Sequence, residues 1–339
     1  MISMIDRLEV AAGLAGSLVT YAASRGIDAA PIARASGLDP DKFGAMFDRI
    51  GLDRLCRFME ALAIISQDDQ FGLKAGAIFE KGASGPFGYA LIHAPTVRQA
   101  LTFIGRNMHK VTDVSVCSLE EGPREVRFQW SYSPLILRRD QFSDMIAVLS
   151  LAHFHDMLGP DMDLARIELE RPKPKNLMIY KELLCRNISF SAPVNAFILP
   201  TALMARANPR ADPRLFAILA RQLDDMRVTR PQASDPVTAT RYLVLDTMDG
   251  AVPTLAEVAS RLGMSERTLQ RRLTEAGTGL QDIVDECRRE LAEKLLSETN
   301  MTLAQIAYRL GFSAPSAFTR SAARWFGMSP SAFRRTVRK

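Results

Sequence analysis

Ten residues near the C-terminus of this 339-residue chain occur twice. Thr254-Leu-Ala-Glu-Val-Ala-Ser-Arg-Leu-Gly263 returns 48 residues later as Thr302-Leu-Ala-Gln-Ile-Ala-Tyr-Arg-Leu-Gly311, with seven of ten positions identical. Each copy is followed by an apolar residue (Met264, Phe312) and a serine (Ser265, Ser313). A helix-period phrase closed by glycine and followed by a serine describes a short helix, a sharp turn and a second helix. The chain is therefore expected to contain two helix-turn-helix units.

The local chemistry supports each step. Thr254 with Glu257, and Thr302 with Gln305, have the spacing of a capping box at a helix start. Leu255, Val258, Ala259 and Leu262, and their counterparts Leu303, Ile306, Ala307 and Leu310, form one apolar stripe at helical spacing. Ala259 and Ala307 are small, as close approach of a second helix requires. Gly263 and Gly311 suit the left-handed residue that ends a helix. Ser265 and Ser313 suit the N-cap of the next one. In the second helix of the first unit, Leu269 and Leu273 face inward and Glu266, Arg267, Gln270, Arg271 and Thr274 face outward. In the second unit Phe318, Ala322 and Trp325 face inward, and Ser316, Thr319, Arg320 and Ala323 face outward. Arginine pairs with guanine, glutamine with adenine, and hydroxyls with several base edges. A solvated helix face would also be polar, but a matched second copy weighs against that reading.

Charge is distributed to match. Residues 301–339 hold seven Lys or Arg and no Asp or Glu. Residues 236–339 hold 15 basic and 11 acidic residues, whereas the remaining 235 hold 28 and 27. The basic excess lies where the repeat lies, as phosphate binding requires.

These residues resemble the AraC/XylS family of bacterial transcription regulators. Arg-Leu-Gly-Met-Ser-Glu-Arg-Thr-Leu-Gln-Arg-Arg-Leu (261–273) matches its first unit. Ile-Ala-Tyr-Arg-Leu-Gly-Phe-Ser (306–313), Arg-Trp-Phe-Gly-Met-Ser-Pro (324–330) and Phe333-Arg334 match its C-terminal signature. The resemblance implies a long helix joining the units, here about Leu280 to Glu298, with Ile283, Val284, Cys287, Leu291, Leu295 and Leu296 on its packing side. It implies that each second helix enters its own major groove, one helical turn of about 34 Å apart. It also implies contact with RNA polymerase. Two positions depart from the pattern: Ala322 stands where a large aromatic is usual, and Ala323 where a basic residue is common. The second unit is therefore expected to be underpacked and to bind DNA less tightly, with Arg320 and Arg324 carrying more of its load.

A polar stretch with two prolines, Arg230-Pro-Gln-Ala-Ser-Asp-Pro236, reads as a linker. It follows a helix of roughly Pro213 to Val228. The expected organisation is an effector-binding and dimerisation domain over 1–212, helix and linker over 213–237, and a DNA-binding domain over 238–339. Within 1–212, helices are expected near 3–25, 51–66, 95–109, 138–158 and 175–185. Strands are expected at 111–119, 125–132, 164–170, 188–190 and 196–199. In the second, Val126, Phe128, Trp130 and Tyr132 alternate with polar residues. The fold class is thus α+β, helices on an antiparallel sheet, followed by an all-α domain with two helix-turn-helix units joined by a long helix. Arg34-Ala-Ser-Gly-Leu-Asp-Pro40, Gly85-Pro-Phe-Gly-Tyr-Ala-Leu91 and Ala94-Pro-Thr-Val-Arg-Gln-Ala-Leu101 resemble the arabinose-binding-type effector module of AraC-like regulators. That label does not specify the ligand.

No catalytic or metal constellation emerges, and no cofactor is expected. Cys56, Cys117, Cys185 and Cys287 lack paired spacing and read as free thiols. His153 and His155 are two apart on a helix, so they do not form a ligand pair; His93 and His109 stand alone. Gly85 and Gly88 lack the Lys-Ser/Thr ending of a phosphate loop. The apolar run 10–23 is too short and too rich in small residues to span a bilayer, so neither export nor a membrane is expected. The reading is a cytoplasmic transcription regulator, nucleoid-associated when bound to promoter DNA. Its partners are RNA polymerase, a small-molecule effector of unknown identity and a second copy in a homodimer; the effector-binding residues stay open. The alternatives are a DNA-repair-type enzyme fused to such a DNA-binding domain, which needs an activated cysteine cluster that is not seen, and a constitutive DNA-bending protein, which leaves the first 200 residues without a purpose.

Overall fold

The computed structural model describes residues 5–44, 48–82, 84–114, 116–225, 235–248 and 250–338. The chain divides into two compact units: Met1–Tyr132 with Arg138–Val228, and Ser133–Leu137 with Thr229–Lys339.

The first unit combines a five-stranded sheet with nine helices among the described residues. In chain order these are β1 (Glu9–Ala11), α1 (Ala15–Ser24), α2 (Ala29–Ala35), β2 (Arg49–Gly51), α3 (Leu52–Ile65), α4 (Phe71–Ala77), α5 (Pro86–His93), α6 (Val97–Val111), β3 (Val116–Glu121), β4 (Glu125–Ser131), α7 (Asp140–Leu158), β5 (Arg166–Leu169), α8 (Met178–Leu183), β6 (Asn187–Phe190), β7 (Asn195–Pro200) and α9 (Pro213–Asp225). The sheet order is β3-β4-β7-β5-β6, and β1 pairs with β2 as a separate ribbon. On β4 the expected alternation is realised: Val126, Phe128 and Trp130 are buried, and Phe128 stands opposite Phe197 of β7. The polar face is tied together by Arg127, whose Nη2 lies 2.7 Å from Glu168 Oε2.

The sheet is mixed, not antiparallel as expected. β5 and β6 run parallel, Ile167 beside Ile188, while the other pairs are antiparallel. The reason is the connection: the chain leaves β5, passes through α8 and returns in the same direction, and a helix-bearing crossover is what a parallel pair requires. β3 also starts later than expected, because α6 continues to Val111. At the N-terminus the described helix is only Ala15–Ser24, preceded by β1 and two short 3₁₀ turns.

α7 is the axis of the unit, buried along most of its length. α4 crosses it at backbone contact. Gly72 N donates to Gln141 Oε1 at 2.8 Å, and a Cβ on Gly72 would meet Gln141 O at 2.0 Å. Asp144 of α7, fully buried, ion-pairs with Arg171, and Tyr180 OH donates to it at 2.5 Å, which joins α8 to the axis. α9 packs on α5 and meets α6 through Phe103 and Phe216, centroids 5.4 Å apart.

The second unit is helical: α10 (Pro236–Thr247), α11 (Leu255–Arg261), α12 (Glu266–Glu275), α13 (Leu280–Glu298), α14 (Leu303–Arg309), α15 (Pro315–Phe326) and α16 (Pro330–Val337). The end of the expected linker is already structural. Asp235 caps α10, accepting from Val237 N and Thr238 N, and Pro236 is its first residue. Residues 226–234 of that linker and its preceding helix lie outside the described residues. α13 buries Ile283, Val284, Cys287, Leu291, Leu295 and Leu296, and packs on α10, α14, α15 and α16.

Candidate nucleic-acid interface

The repeat folds twice into the same local structure. Thr254 N donates to Glu257 Oε2 at 2.7 Å while Glu257 N donates back to Thr254 Oγ1 at 3.3 Å. Thr302 and Gln305 repeat this at 2.8 and 3.2 Å. The hydrogen bonds to Thr254 hold the Glu257 carboxyl below its ordinary range. α11 ends with Gly263 at φ +66°, and Met264 N reaches back to Ala259 O at 3.0 Å. α14 ends with Gly311 at φ +69°, and Phe312 N reaches Ala307 O at 2.9 Å. A left-handed residue with a six-to-one bond reverses the chain at each turn. At Gly311 a Cβ would also meet Val252 Cγ2 at 2.9 Å. Ala259 and Ala307 are buried beneath the turns.

The N-caps of the second helices differ. Ser265 caps α12, accepting from Thr268 N at 3.3 Å. Ser313 does not cap α15; this corrects the expectation. The N-cap is Ala314, with extended backbone (φ −150°, ψ 146°) and no side-chain cap bond, and Pro315 opens the helix. Proline lacks the N–H and pre-sets the helical φ, so this start loses little without a serine.

α12 buries Leu269 and Leu273 and exposes Glu266, Arg267, Gln270, Arg271 and Thr274. α15 buries Phe318 and Ala322 and exposes Ser316, Thr319, Arg320 and Arg324. Trp325 is half-buried and is held by Asp285, which accepts its Nε1 at 2.9 Å. Among the described residues Arg267 and Arg320 form no ion pair, and Arg271 lies 3.7 Å from Glu275 across one turn. Arg324 is engaged: its Nη2 lies 2.5 Å from Asp285 Oδ1. Thr274 and Thr319 donate to carbonyls one turn back, at Gln270 and Pro315, leaving their oxygens as acceptors.

Ala322, where a gap was expected, is fully covered. The same helix contributes Phe318, Trp325 and Phe326 to a chain of rings, Phe318–Phe312–Trp325–Phe326–Phe333, ending in a stacked pair at 4.1 Å. The arrangement also depends on residues that the sequence did not single out. Arg288 of α13 donates to Leu310 O at 2.8 Å and Gly311 O at 2.7 Å, and its guanidinium lies 4.2 Å from the Phe312 ring centroid. It closes the carbonyl end of α14. Arg334 donates to Met301 O at 2.6 Å, and Arg338 to Leu296 O at 3.1 Å. Part of the C-terminal basic excess is thus spent on carbonyls at the end of α13 and in the loop before α14 rather than left for phosphates. Arg272, exposed beside Arg271, is a further cation on α12.

No group of three or more His, Cys, Asp or Glu able to hold a metal occurs among the described residues. Cys56, Cys117, Cys185 and Cys287 form no disulfide; burial pushes the Cys185 thiol up to about 11 and the Cys287 thiol up to about 12, away from the reactive thiolate. No helix among the described residues is long and apolar enough to cross a membrane.

Comparison with known proteins adds to this geometry. Residues 26–208 match the family model of the arabinose-binding domain of AraC transcription regulators, N-terminal, and residues 258–336 match a helix-turn-helix domain. An uncharacterized HTH-type transcriptional regulator of Mycobacterium tuberculosis is 26% identical over 335 residues, covering 94% of each chain. The ornithine utilization regulator of Pseudomonas aeruginosa is 24% identical, again over 94% of each. The crystal structure of the transcriptional regulator CdpR from Pseudomonas aeruginosa aligns over 94% of this chain and 96% of that one, at 22% identity and a TM-score of 0.41. An effector-type domain followed by a helix-turn-helix domain, matched along nearly the whole chain by named transcription regulators, places this chain in the AraC family of DNA-binding transcriptional regulators with an arabinose-binding-type N-terminal domain.

Proposed function

We propose that the protein reads promoter DNA with two helices, α12 and α15, each the second helix of a helix-turn-helix unit, and that a small molecule bound within 1–212 governs this binding. The observation that carries the reading is the repeated cap–turn–helix frame, in which both second helices turn a polar face to solvent with an arginine, Arg267 or Arg320, that forms no ion pair among the described residues. Arg267, Gln270 and Arg271 supply base-edge contacts from α12, with Glu266 and Thr274 at their flanks. Ser316, Thr319 and Arg320 do so from α15. Arg324 acts at the backbone only if it leaves Asp285, so α15 is the weaker reader. α13 joins the two helix pairs so that they address successive major grooves on one face of the duplex.

Membership of the family supports the remaining proposals: activation through RNA polymerase, self-association through the first unit into a homodimer, and a place in the cytoplasm at the nucleoid. An effector changes DNA affinity only through unequal affinity for two states of the protein. The experiment is selection of bound fragments from a random duplex pool with the full chain, followed by titration of the selected site. Recovery of one motif with two half-sites about one helical turn apart supports the reading. Enrichment of no motif, or of a single half-site unaffected by changes in α15, overturns the two-reader account.

A further inference from the structure

The first unit holds a cavity of about 310 Å³, within the range of small-molecule sites. Its walls come from three helices: Phe87 and Leu91 of α5, Met108 and Val111 of α6, Ile146 and Leu149 of α7. The floor is a break in an otherwise covered axis. α7 is buried from Gln141 to Val148, yet Leu149, Ser150 and Ala152 are only half-buried where they face the cavity. Gly76 and Ala77 of α4 line it as well, so the close crossing of α4 on α7 leaves the space open.

Apart from Ser150 on the floor, the polar lining gathers toward one end. From Ile146 to Asp156 the lining advances along α7 by ten residues, about 15 Å of helix. It changes from aliphatic to polar at His153, Asp156, Lys81 and Ser84. The charges there cancel. Lys81 Nζ lies 2.5 Å from Asp156 Oδ2 and Arg210 Nη1 lies 3.5 Å from it, while Glu182 is exposed at the rim. His153 is the buried polar group of this end, 6% exposed, and forms no hydrogen bond among the described residues. Burial and the nearby Lys81 ammonium hold its imidazole in the neutral form. A neutral imidazole offers one donor and one acceptor and no charge.

We propose that this cavity is where the small molecule binds, and that its ligand is an uncharged, mainly apolar molecule anchored by one hydrogen-bonding group at His153. The proposal rests on the reading of 1–212 as the ligand-responsive part and adds the site and the ligand class. A carboxylate or ammonium head would have to break the Lys81–Asp156 pair or enter uncompensated, which a buried site disfavours. A sugar, with a hydroxyl on most carbons, would leave those groups unpaired against Phe87, Leu91, Met108 and Ile146. The cavity therefore does not match the sugar in the domain's family name.

The test uses the full chain and four probes: 1-octanol, octanoate, octylammonium and L-arabinose. Binding is read by calorimetric titration and by the shift in thermal unfolding. The expected result is saturable binding of 1-octanol, at least tenfold weaker binding of both charged octyl probes, and none of arabinose. Ala152→Trp and Leu149→Trp each fill the floor and should abolish octanol binding; either suffices if the other does not fold. His153→Gln should keep the affinity within a few-fold, and His153→Phe should weaken it about three- to tenfold. Tighter binding of octanoate, octylammonium or arabinose than of octanol, or octanol binding indifferent to both tryptophan variants, overturns the proposal. If all octyl probes fail while a hydrophilic compound both binds and alters DNA affinity, the cavity chemistry is wrong and effector control stands. If octanol binds as expected and no ligand of the cavity alters DNA affinity, the site is upheld and effector control is refuted.

Discussion

At the scale of single residues, the exposed arginines and the buried histidine make different demands. Arg271 is exposed and held only loosely by Glu275, so it is free to turn toward a base edge. Arg271→Ala is expected to cost about 1–3 kcal/mol on the selected site and to relax preference at one or two base pairs. Fluorescence anisotropy on the site and its single-pair variants measures both; unchanged affinity and preference would remove Arg271 from the interface. His153 is instead a pH-dependent stability element. Burial first, then Lys81, lowers its folded-state pKa from 6.5 to about 4. Between those values the unfolded chain binds the extra proton, so the stability contribution is fully present above about pH 6.5 and is lost as pH falls toward 4. The full swing is on the order of 3 kcal/mol. Thermal unfolding from pH 7.5 to 4.5 should show the first unit losing stability, and His153→Gln should flatten that slope. A variant with the parental slope would show that other groups set it.

At the scale of elements, backbone proximity decides more than side-chain character. α4 rests on α7 through Gly72, where a methyl group would lie 2.0 Å from Gln141 O, and Gly76, where it would lie 3.1 Å from Met145 O. Gly72→Ala should therefore destabilise the first unit by about 1–3 kcal/mol or more, and Gly76→Ala by less. Melting temperatures of the two variants test the order, and equal effects would mean that α4 slides without cost. On α15, Ala322 is fully covered beside a ring cluster already complete from Phe312 to Phe333. Ala322→Phe should overpack and lower the melting temperature, by about 1–3 kcal/mol of stability. A rise would reveal space that the neighbours can yield. The periodicity of α11, α12 and β4 was legible because their apolar residues recur at the period of the element. The short helices α2, α4 and α5 were not, since seven or eight residues make only about two turns and carry little pattern.

At the scale of the whole molecule, the two units are expected to divide the work. Residues 234–339 retain Asp235, the cap of α10, and every helix of the second unit. This fragment is expected to bind the selected site without effector, with affinity falling steeply with salt as phosphate contacts release counterions. If the first unit self-associates, the full chain should exceed the fragment on a duplicated site through effective concentration. Anisotropy of both proteins on single and duplicated sites, across a salt series, tests each half of this account. A folded fragment that binds no DNA would refute the division, and a fragment equal to the full chain on the duplicated site would refute the dimer.

The repeat, its capping boxes and its glycine turns could be read from the amino-acid order, because each rests on residues within a few positions of one another. The outward faces of α12 and α15 were legible for the same reason; the long helix came from the family resemblance. Long-range pairing was not. That Asp285 holds Arg324 and Trp325, that Arg288 closes α14, and that Arg334 and Arg338 bind carbonyls in the loop before α14 and at the end of α13 depend on residues 22 to 42 positions apart. The mixed sheet was half legible: a helix was expected between the strands near 167 and 189, but strand direction depends on which edge the returning chain joins. The cavity in the first unit was not legible at all. A void is what remains when α4, α5, α6 and α7 have packed, and no local pattern encodes where side chains fail to meet.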